Sequence, residues 1–343
     1  MEVYLLDDSF DTIEIIDKCI TFKATKRFFS PGQFEMSLYS DVGSFRSAFA
    51  IYEPFSKGSY LIERIECGDK GIVKIGGRSL EALLENRILE GNGRYVGGAE
   101  ESVRLAVQRN TTNERALSGL VLGDVTGLVG KGCFNTDHRN LSEFVYSSLR
   151  PFGGTYTIEL VGSIPTFRVI TGRDRTRSQN RYPPVVFSES MGNVISGSTK
   201  FDVKDSKNIA YVSGSDGRRV IAAISDQIVD RREVYVNARD ISPHEFNTDE
   251  EYLDALRVRG LETLTRYGGE WKYSGNVIGT RYGTDYLLGD ICDIDTCLGV
   301  SFSERITSVE FVFENGTVRS TVTFGEGEEP LRSVIKEYVS VTV

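Results

Sequence analysis

Ile306-Thr307-Ser308-Val309-Glu310-Phe311-Val312-Phe313-Glu314-Asn315-Gly316-Thr317-Val318-Arg319-Ser320-Thr321-Val322-Thr323-Phe324 is the stretch that decides the fold class. Asn315-Gly316 separates two runs rich in β-branched and aromatic residues, and both central residues of a type I′ turn need positive φ, so the stretch predicts a hairpin. Val309, Phe311 and Phe313 on one arm are set against Val318, Val322 and Phe324 on the other, so one face of that hairpin is expected to be buried.

Strand chemistry recurs outward from this hairpin. Residues 209–213 and 234–237 read as strands, and so do residues 155–161 and 166–171. Phe34-Glu35-Met36-Ser37-Leu38 alternates at period two behind the turn residues Pro31-Gly32. Residues 62–67 and 72–75 flank Gly68-Asp69-Lys70-Gly71, a connection suited to a second hairpin.

Helical spacing is confined to four places. Leu80, Leu83, Leu84 and Ile88 are expected on one face of a short helix over residues 79–89. Residues 99–108 should turn Val103, Ala106 and Val107 inward, and a second helix should open at Asn140, with Glu143 in capping-box position, and stop before Pro151. The longest helix is expected from Thr248 to about Tyr267. Thr248 and Glu251 form its capping box, Gly268-Gly269 its stop, and Leu253, Leu256, Gly260, Leu261 and Leu264 its apolar face.

The chain has 343 residues, 40% hydrophobic and 26% charged, enough for two to four modest cores. Its 35 Gly, 19 Phe and 16 Tyr against 3 Met favour short strands and tight turns over a helical bundle. A formal charge of −9 argues against affinity for nucleic acid, which needs clustered Lys and Arg. Cys19, Cys67, Cys133, Cys292 and Cys297 are odd in number and lack a Cys-x-x-Cys pair, which points to reduced thiols made in a cytoplasm. Glu2, Asp7, Asp8 and Asp11 crowd the N-terminus, and no apolar run has the length of a membrane span, so neither a signal peptide nor a membrane anchor is expected.

Catalytic patterns are tested and fail. His138 and His244 are the only histidines, and there is no Gly-x-Ser-x-Gly elbow, so a Ser-His-Asp hydrolase is not expected. Asp137-His138 precedes a helix start, where such a dipeptide serves turn and capping roles. Gly130-Lys131 would need Gly at position 125 and Ser or Thr at 132 to be a phosphate loop; Val125 and Gly132 stand there. Asp290, Asp293 and Asp295 do not have EF-hand spacing and read as a solvated edge, with 293 and 295 on one face. Arg173, Arg175, Arg177 and Arg181 lie near Asp174 and Glu189 and read as a solvated or salt-bridged loop. A carboxylate pair for glycoside hydrolysis leaves no sequence spacing, and Trp271, the single tryptophan, is little for a sugar cleft. Catalytic, cofactor-binding and metal-binding residues are therefore each expected to be none.

Seven collinear blocks carry a resemblance. They are Gly77-Arg78-Ser79-Leu80-Glu81-Ala82-Leu83-Leu84-Glu85-Asn86-Arg87-Ile88, Gly172-Arg173-Asp174-Arg175, Val185-Val186-Phe187-Ser188, Asn208-Ile209-Ala210-Tyr211-Val212-Ser213-Gly214, Asp230-Arg231-Arg232-Glu233, Leu256-Arg257-Val258-Arg259-Gly260 and Tyr282-Gly283-Thr284-Asp285-Tyr286-Leu287-Leu288-Gly289-Asp290. From about Tyr4 to Gly325 the chain resembles the tail-tip or baseplate hub proteins of long-tailed siphophages. That resemblance implies an α+β, mainly β fold with two tube-type antiparallel β-barrel domains, each carrying an α/β insertion. Residues 1–90 would form the first barrel and 91–183 its insertion; residues 184–240 with 300–343 would form the second barrel, and 241–299 its insertion.

The implied function is structural. A homotrimeric ring would adapt hexameric tail rings to trimeric tip parts at the virion tail tip, after assembly in the host cytoplasm. Its partners would be a distal tail or tail tube protein, a tape measure protein and fibre or spike proteins, with DNA only in passage. No cofactor is implied. A tail-associated cell-wall hydrolase and the hub of a contractile or tailocin-type particle are the alternatives. The motif blocks are expected to be junctions that hold domains in register.

Overall fold

Period-two alternation becomes strand almost wherever this chain carries it. The computed structural model describes residues 1–39, 45–68, 71–91, 93–117, 119–202, 206–224, 230–265, 267, 270–296, 299, 301–314 and 316–325. The first part runs through β1 (Val3–Leu6), β2 (Thr12–Ile16), β3 (Cys19–Arg27), β4 (Gln33–Tyr39), β5 (Ala50–Glu53), β6 (Gly58–Leu61), β7 (Arg64–Cys67) and β8 (Ile72–Arg78). A 3-10 helix at Leu80–Asn86 then leads to β9 (Arg94–Gly98), α1 (Ala99–Asn110), β10 (Val121–Leu122), β11 (Lys131–Asn135), α2 (Leu141–Leu149), β12 (Thr155–Val161) and β13 (Ile164–Ile170). The remainder comprises β14 (Val186–Ser188), β15 (Val194–Asp202), β16 (Ile209–Gly214), β17 (Arg219–Ala223), β18 (Glu233–Ala238), α3 (Asp249–Leu264), β19 (Glu270–Val277), β20 (Ile291–Asp295), β21 (Ser301–Glu314) and β22 (Thr317–Phe324).

The terminal hairpin forms as the alternation requires. Glu314 pairs with Thr317 around Gly316, whose φ is 77°. Asn315 lies outside the described residues. Val309 faces Val322 and Phe313 faces Val318, but Phe311 stands opposite Ser320, and the partner of Phe324 is Ile306. β21 also does what no local pattern announces. Its residues 301–305 pair with β20 and its residues 308–314 with β3. The strands from the two ends of the sequence thereby share one ladder, in the order β15-β19-β22-β21-β3-β4-β8-β7, with β20 and then β14 attached beside β21.

Each half of that ladder covers its own core. The sheet β2-β1-β5-β6 lies over β3, β4 and β8, enclosing Val3, Leu5, Phe22, Phe34, Met36, Ile51, Tyr60 and Ile75. A bridge between Tyr60 and Ser79 stitches the two sheets at one margin. The approach there is so close that a Cβ at Gly77 would lie 1.8 Å from the carbonyl oxygen of Leu61. In the other half Phe187, Tyr273, Tyr286, Ile294, Ile306, Val309, Phe311, Val322 and Phe324 pack together.

Two helix-bearing groups stand outside the ladder. Asn140 caps α2 by accepting from the Ser142 and Glu143 amides, and α1 and α2 bury Val103, Ala106, Val107, Phe144 and Val145 against β12 and β13. Leu80, Leu83 and Leu84 join this core from a 3-10 helix, but Ile88 lies past that helix's end and is exposed, so it leaves the expected face. Residues 209–214, 219–223 and 233–238, expected among the strands of the second barrel, pair among the described residues only with one another, in the order β17-β16-β18. α3 covers that sheet, with Thr248 accepting from the Glu251 amide as its cap. The fit depends on Gly260: a Cβ there would meet Ala222 at 2.6 Å and Val212 at 2.8 Å. Tyr252, Ala255, Leu256, Val258, Gly260 and Leu264 are its buried residues, whereas Leu253 and Leu261 are partly exposed. The expected stop at Gly268-Gly269 lies outside the described residues. β19, expected in an insertion, is instead the ladder strand between β15 and β22.

No helix among the described residues is long and apolar enough to cross a membrane. Cys19, Cys67, Cys133 and Cys292 are free thiols, and Cys297 lies outside the described residues.

Candidate functional site: the polar face of the long ladder and the junction behind it

One face of the ladder packs on the cores, and the other is set by register alone. Three rows cross the sheet on that second face. The first runs Asn276, Thr321, Glu310, Thr25, Gln33, Arg78. The second runs Arg319, Val312, Lys23, Glu35, Gly76, Arg64, and the third Thr317, Glu314, Thr21, Ser37, Lys74, Glu66. Val312 is the one large apolar residue in these rows, so this side of the sheet is built to face water.

Its charges cancel locally. Arg78, Arg319, Lys23, Arg64 and Lys74 stand among Glu310, Glu35, Glu314 and Glu66, five basic groups against four acidic in a chain of charge −9. Lys23 meets Glu310 at 2.9 Å and Arg64 meets Glu35 at 2.8 Å. Hydrogen bonds from Arg78, chiefly to Glu63, raise that guanidinium above its usual value. Such exposed pairs add little stability, but they leave no strip of uncompensated positive charge to hold a polyanion.

Behind this face, three of the motif blocks converge. Gly172, at φ 72°, crosses so near the turn at Gly289 that a Cβ would lie 1.9 Å from the Gly289 carbonyl oxygen. The Arg173 amide donates to Asp290 Oδ1 at 3.0 Å, the Leu287 amide to Asp290 Oδ2 at 3.0 Å, and Arg175 Nη1 lies 3.9 Å from the same carboxylate. Asp290 is wholly buried. Burial pushes its carboxyl above the ordinary range, against the pull of these donors and the two arginines. Phe187 of the Val185–Ser188 block packs edge-on to Tyr286, and β14 runs parallel to β20. Tyr282 in turn lies under the Lys26 ammonium and against Phe311, which ties the block to both halves of the ladder.

Arg305 completes the junction. Its Nη1 donates to the carbonyls of Thr171 and Gly289, each at 2.7 Å, while its guanidinium lies 5.0 Å from the Phe28 ring. Burial lowers its pKa from the usual arginine value. The Phe28 amide donates to the Thr307 carbonyl at 2.9 Å, and Thr155 Oγ1 donates to the Phe28 carbonyl. The end of β3, the start of β12 and the middle of β21 are thus pinned together.

The expected solvated edge is not what the structure has. Asp290 and Asp293 are buried because β20 lies beneath the 172–182 loop rather than at a margin. Asp293 accepts from Ser303 Oγ at 2.6 Å and from the Arg177 amide and Nε at 2.8 and 2.9 Å. Burial alone would raise its carboxyl, but these donors hold it below the ordinary range. Arg177 bridges to Asp295 at 2.9 Å, so that loop is salt-bridged.

Asp137 and His138 form the turn before α2, at φ 38° and 52°, and Lys131 is exposed at the start of β11. Among the described residues no cluster of three His, Cys, Asp or Glu could hold a metal. The Asp230–Glu233 block sits apart, where Asn208 Oδ1 accepts from the Arg232 amide at 2.8 Å and Asn208 Nδ2 donates to the Asp230 carbonyl at 2.5 Å. Arg305 and Phe28 escaped the sequence reading because nothing local marks them. The alternation of Glu310, Val312 and Glu314 with Phe311 and Phe313 was the available sign of the polar face.

A family model described as Siphovirus ReqiPepy6 Gp37-like protein matches residues 2–326. Among solved structures, prophage tail protein gp18 from Listeria monocytogenes is 12% identical, with a TM-score of 0.60 and 99% of each chain covered. A tail protein from Neisseria meningitidis is 12% identical at a TM-score of 0.63, over 95% of each chain. The 43 kDa tail protein of prophage MuSo2 from Shewanella oneidensis is 11% identical at 0.64, covering 95% of this chain and 98% of that one. At these identities the likeness establishes a shared fold. A search of curated proteins finds no match.

Proposed function

Because the chain belongs to the Siphovirus ReqiPepy6 Gp37-like family of phage tail proteins, we propose that it is the hub of a tail tip, a structural ring through which DNA passes. The observation that carries this reading is the eight-strand path that begins at β15 and ends at β7 with both outer edges unpaired among the described residues. Joining β7 of one copy to β15 of the next in three copies would close a barrel of about two dozen strands, and barrels of that order enclose a lumen. The three polar rows would line it. Their internally paired charges would let DNA slide past without capture.

In this reading the two halves of the ladder are the two tube-type units of each protomer, so three chains offer six-fold contacts to a tail tube above and three-fold contacts to spike or fibre proteins below. Residues 94–170 and 206–265 are the two insertions, set outside the ladder to meet neighbouring tail proteins. The chain acts without catalysis at the virion tail tip. Light scattering and negative-stain imaging of the purified protein test it: three copies in an open ring are expected, and a monomer at all concentrations, or a solid particle, overturns it.

A further inference from the structure

The 172–182 loop, whose buried side forms the junction, also has an outward side. Arg173 and Arg181 are both exposed there, and both guanidiniums lie over Tyr182, at 5.4 and 5.3 Å from the centre of its ring. Four other exposed arginines hold carboxylates: Arg64 holds Glu35, Arg177 holds Asp293 and Asp295, Arg231 holds Glu233, and Arg257 holds Asp254. Among the described residues, Arg173 and Arg181 have no carboxylate within ion-pair distance. Two like charges held on one ring repel each other, and an anion between or beside them relieves that repulsion.

The loop is also rigid enough to hold the pair ready. Gln179 Oε1 accepts from the amides of Arg181 and Tyr182 at 2.7 and 2.8 Å, and its Nε2 donates to the Thr176 and Tyr182 carbonyls at 3.0 and 2.8 Å. Asp174 accepts from the Thr176 amide at 2.9 Å, and Arg175 Nε donates to the Pro183 carbonyl at 2.8 Å. The Arg173 backbone is fixed at Asp290. Little backbone entropy of the loop is left to lose on binding.

We propose that Arg173, Tyr182 and Arg181 form a clasp for a carboxylate-bearing segment of another polypeptide, an acidic stretch of a neighbouring tail protein. Guanidinium forks suit planar carboxylates, and the tyrosine ring adds an apolar floor for a glutamate stem. Arg173 belongs to the block that opens with Gly172, which gives that block an outward role as well as an inward one.

Fluorescence anisotropy of a labelled hexaglutamate peptide with the full-length protein at low ionic strength tests the clasp. Binding is expected to weaken about tenfold or more in Arg173→Gln/Arg181→Gln, to weaken in Arg181→Gln alone, and to stay unchanged in Arg239→Gln. Arg181→Gln removes a side chain outside the junction, so it reads out binding even if the double variant folds poorly. Equal binding of a hexaglutamine peptide, no loss in either clasp variant, or tighter capture of a short DNA duplex through the same arginines would each overturn the proposal.

Discussion

The seam between β3 and β21 and the free edges at β7 and β15 are the same kind of object, a strand margin, treated in opposite ways. At the seam, register pairs from Ser308 opposite Arg27 to Glu314 opposite Thr21 satisfy the backbone. The end of the seam is then locked by Phe28, Arg305 and the Gly172–Gly289 crossing. At the free edges β7 offers four exposed residues paired on one side only, and β15 carries a register shift with Ser196 at φ 56°. An unpaired row of amides and carbonyls is a liability unless water, a charged side chain or another strand meets it. The difference separates a margin closed within the chain from two margins left open among the described residues.

The largest effect should come from breaking the lock. In Gly172→Val the new Cβ would overlap the Gly289 carbonyl, 1.9 Å away, in a residue at φ 72° that a β-branched side chain resists. The obstacle is backbone rather than a side chain, so it cannot yield cheaply. A loss of about 3 kcal/mol or more is expected in urea unfolding. A loss below about 1 kcal/mol would mean that the crossing is slack and the seam needs no lock.

A smaller effect, with a pH signature, is expected at Asp293. Its folded-state carboxyl is held below the ordinary range, so its stabilisation is present above the ordinary carboxylate value and fades as pH falls through the folded one. Asp293→Asn should cost about 1–2 kcal/mol at pH 7, and the difference from the parent should shrink below about pH 4. Asp290 runs the other way, because its carboxyl is raised and its contribution improves on acidification. A variant penalty that grows toward acid pH would show that Asp293 is not the group holding the loop to β20.

Local chemistry made much of this legible from sequence and left the seam invisible. Asn315-Gly316, the Asn140 and Thr248 caps and the alternation around Phe34 act within a few residues, so they could be read directly. The pairing of β21 with β3 joins residues almost three hundred positions apart, and one strand's apolar pattern is compatible with many partners. Ile88 was misplaced because a 3-10 helix of three residues per turn loses the expected face sooner than an α-helix does. Three of the seven motif blocks meet at one junction, yet the buried state of Asp290 depends on a loop that packs over β20 from more than a hundred residues upstream. Charge spacing carries no record of such cover.

At the free edge the smallest change in stability should have the clearest consequence for assembly. Ile65 in β7 is 37% exposed and pairs with Ile75 on one side only. In Ile65→Lys the aliphatic stem can stay on the sheet while the ammonium reaches water beyond the margin, so the protomer should lose no more than about 1 kcal/mol. The same ammonium would have to be desolvated if another strand lay alongside, which is how natural edge strands refuse company. Ile195→Lys in β15, also exposed, should act from the other side of the contact. Light scattering should then report monomers for both variants under conditions in which the parent forms rings. Rings that persist in both would move the contact away from these edges and leave the seam as the ladder's only joint.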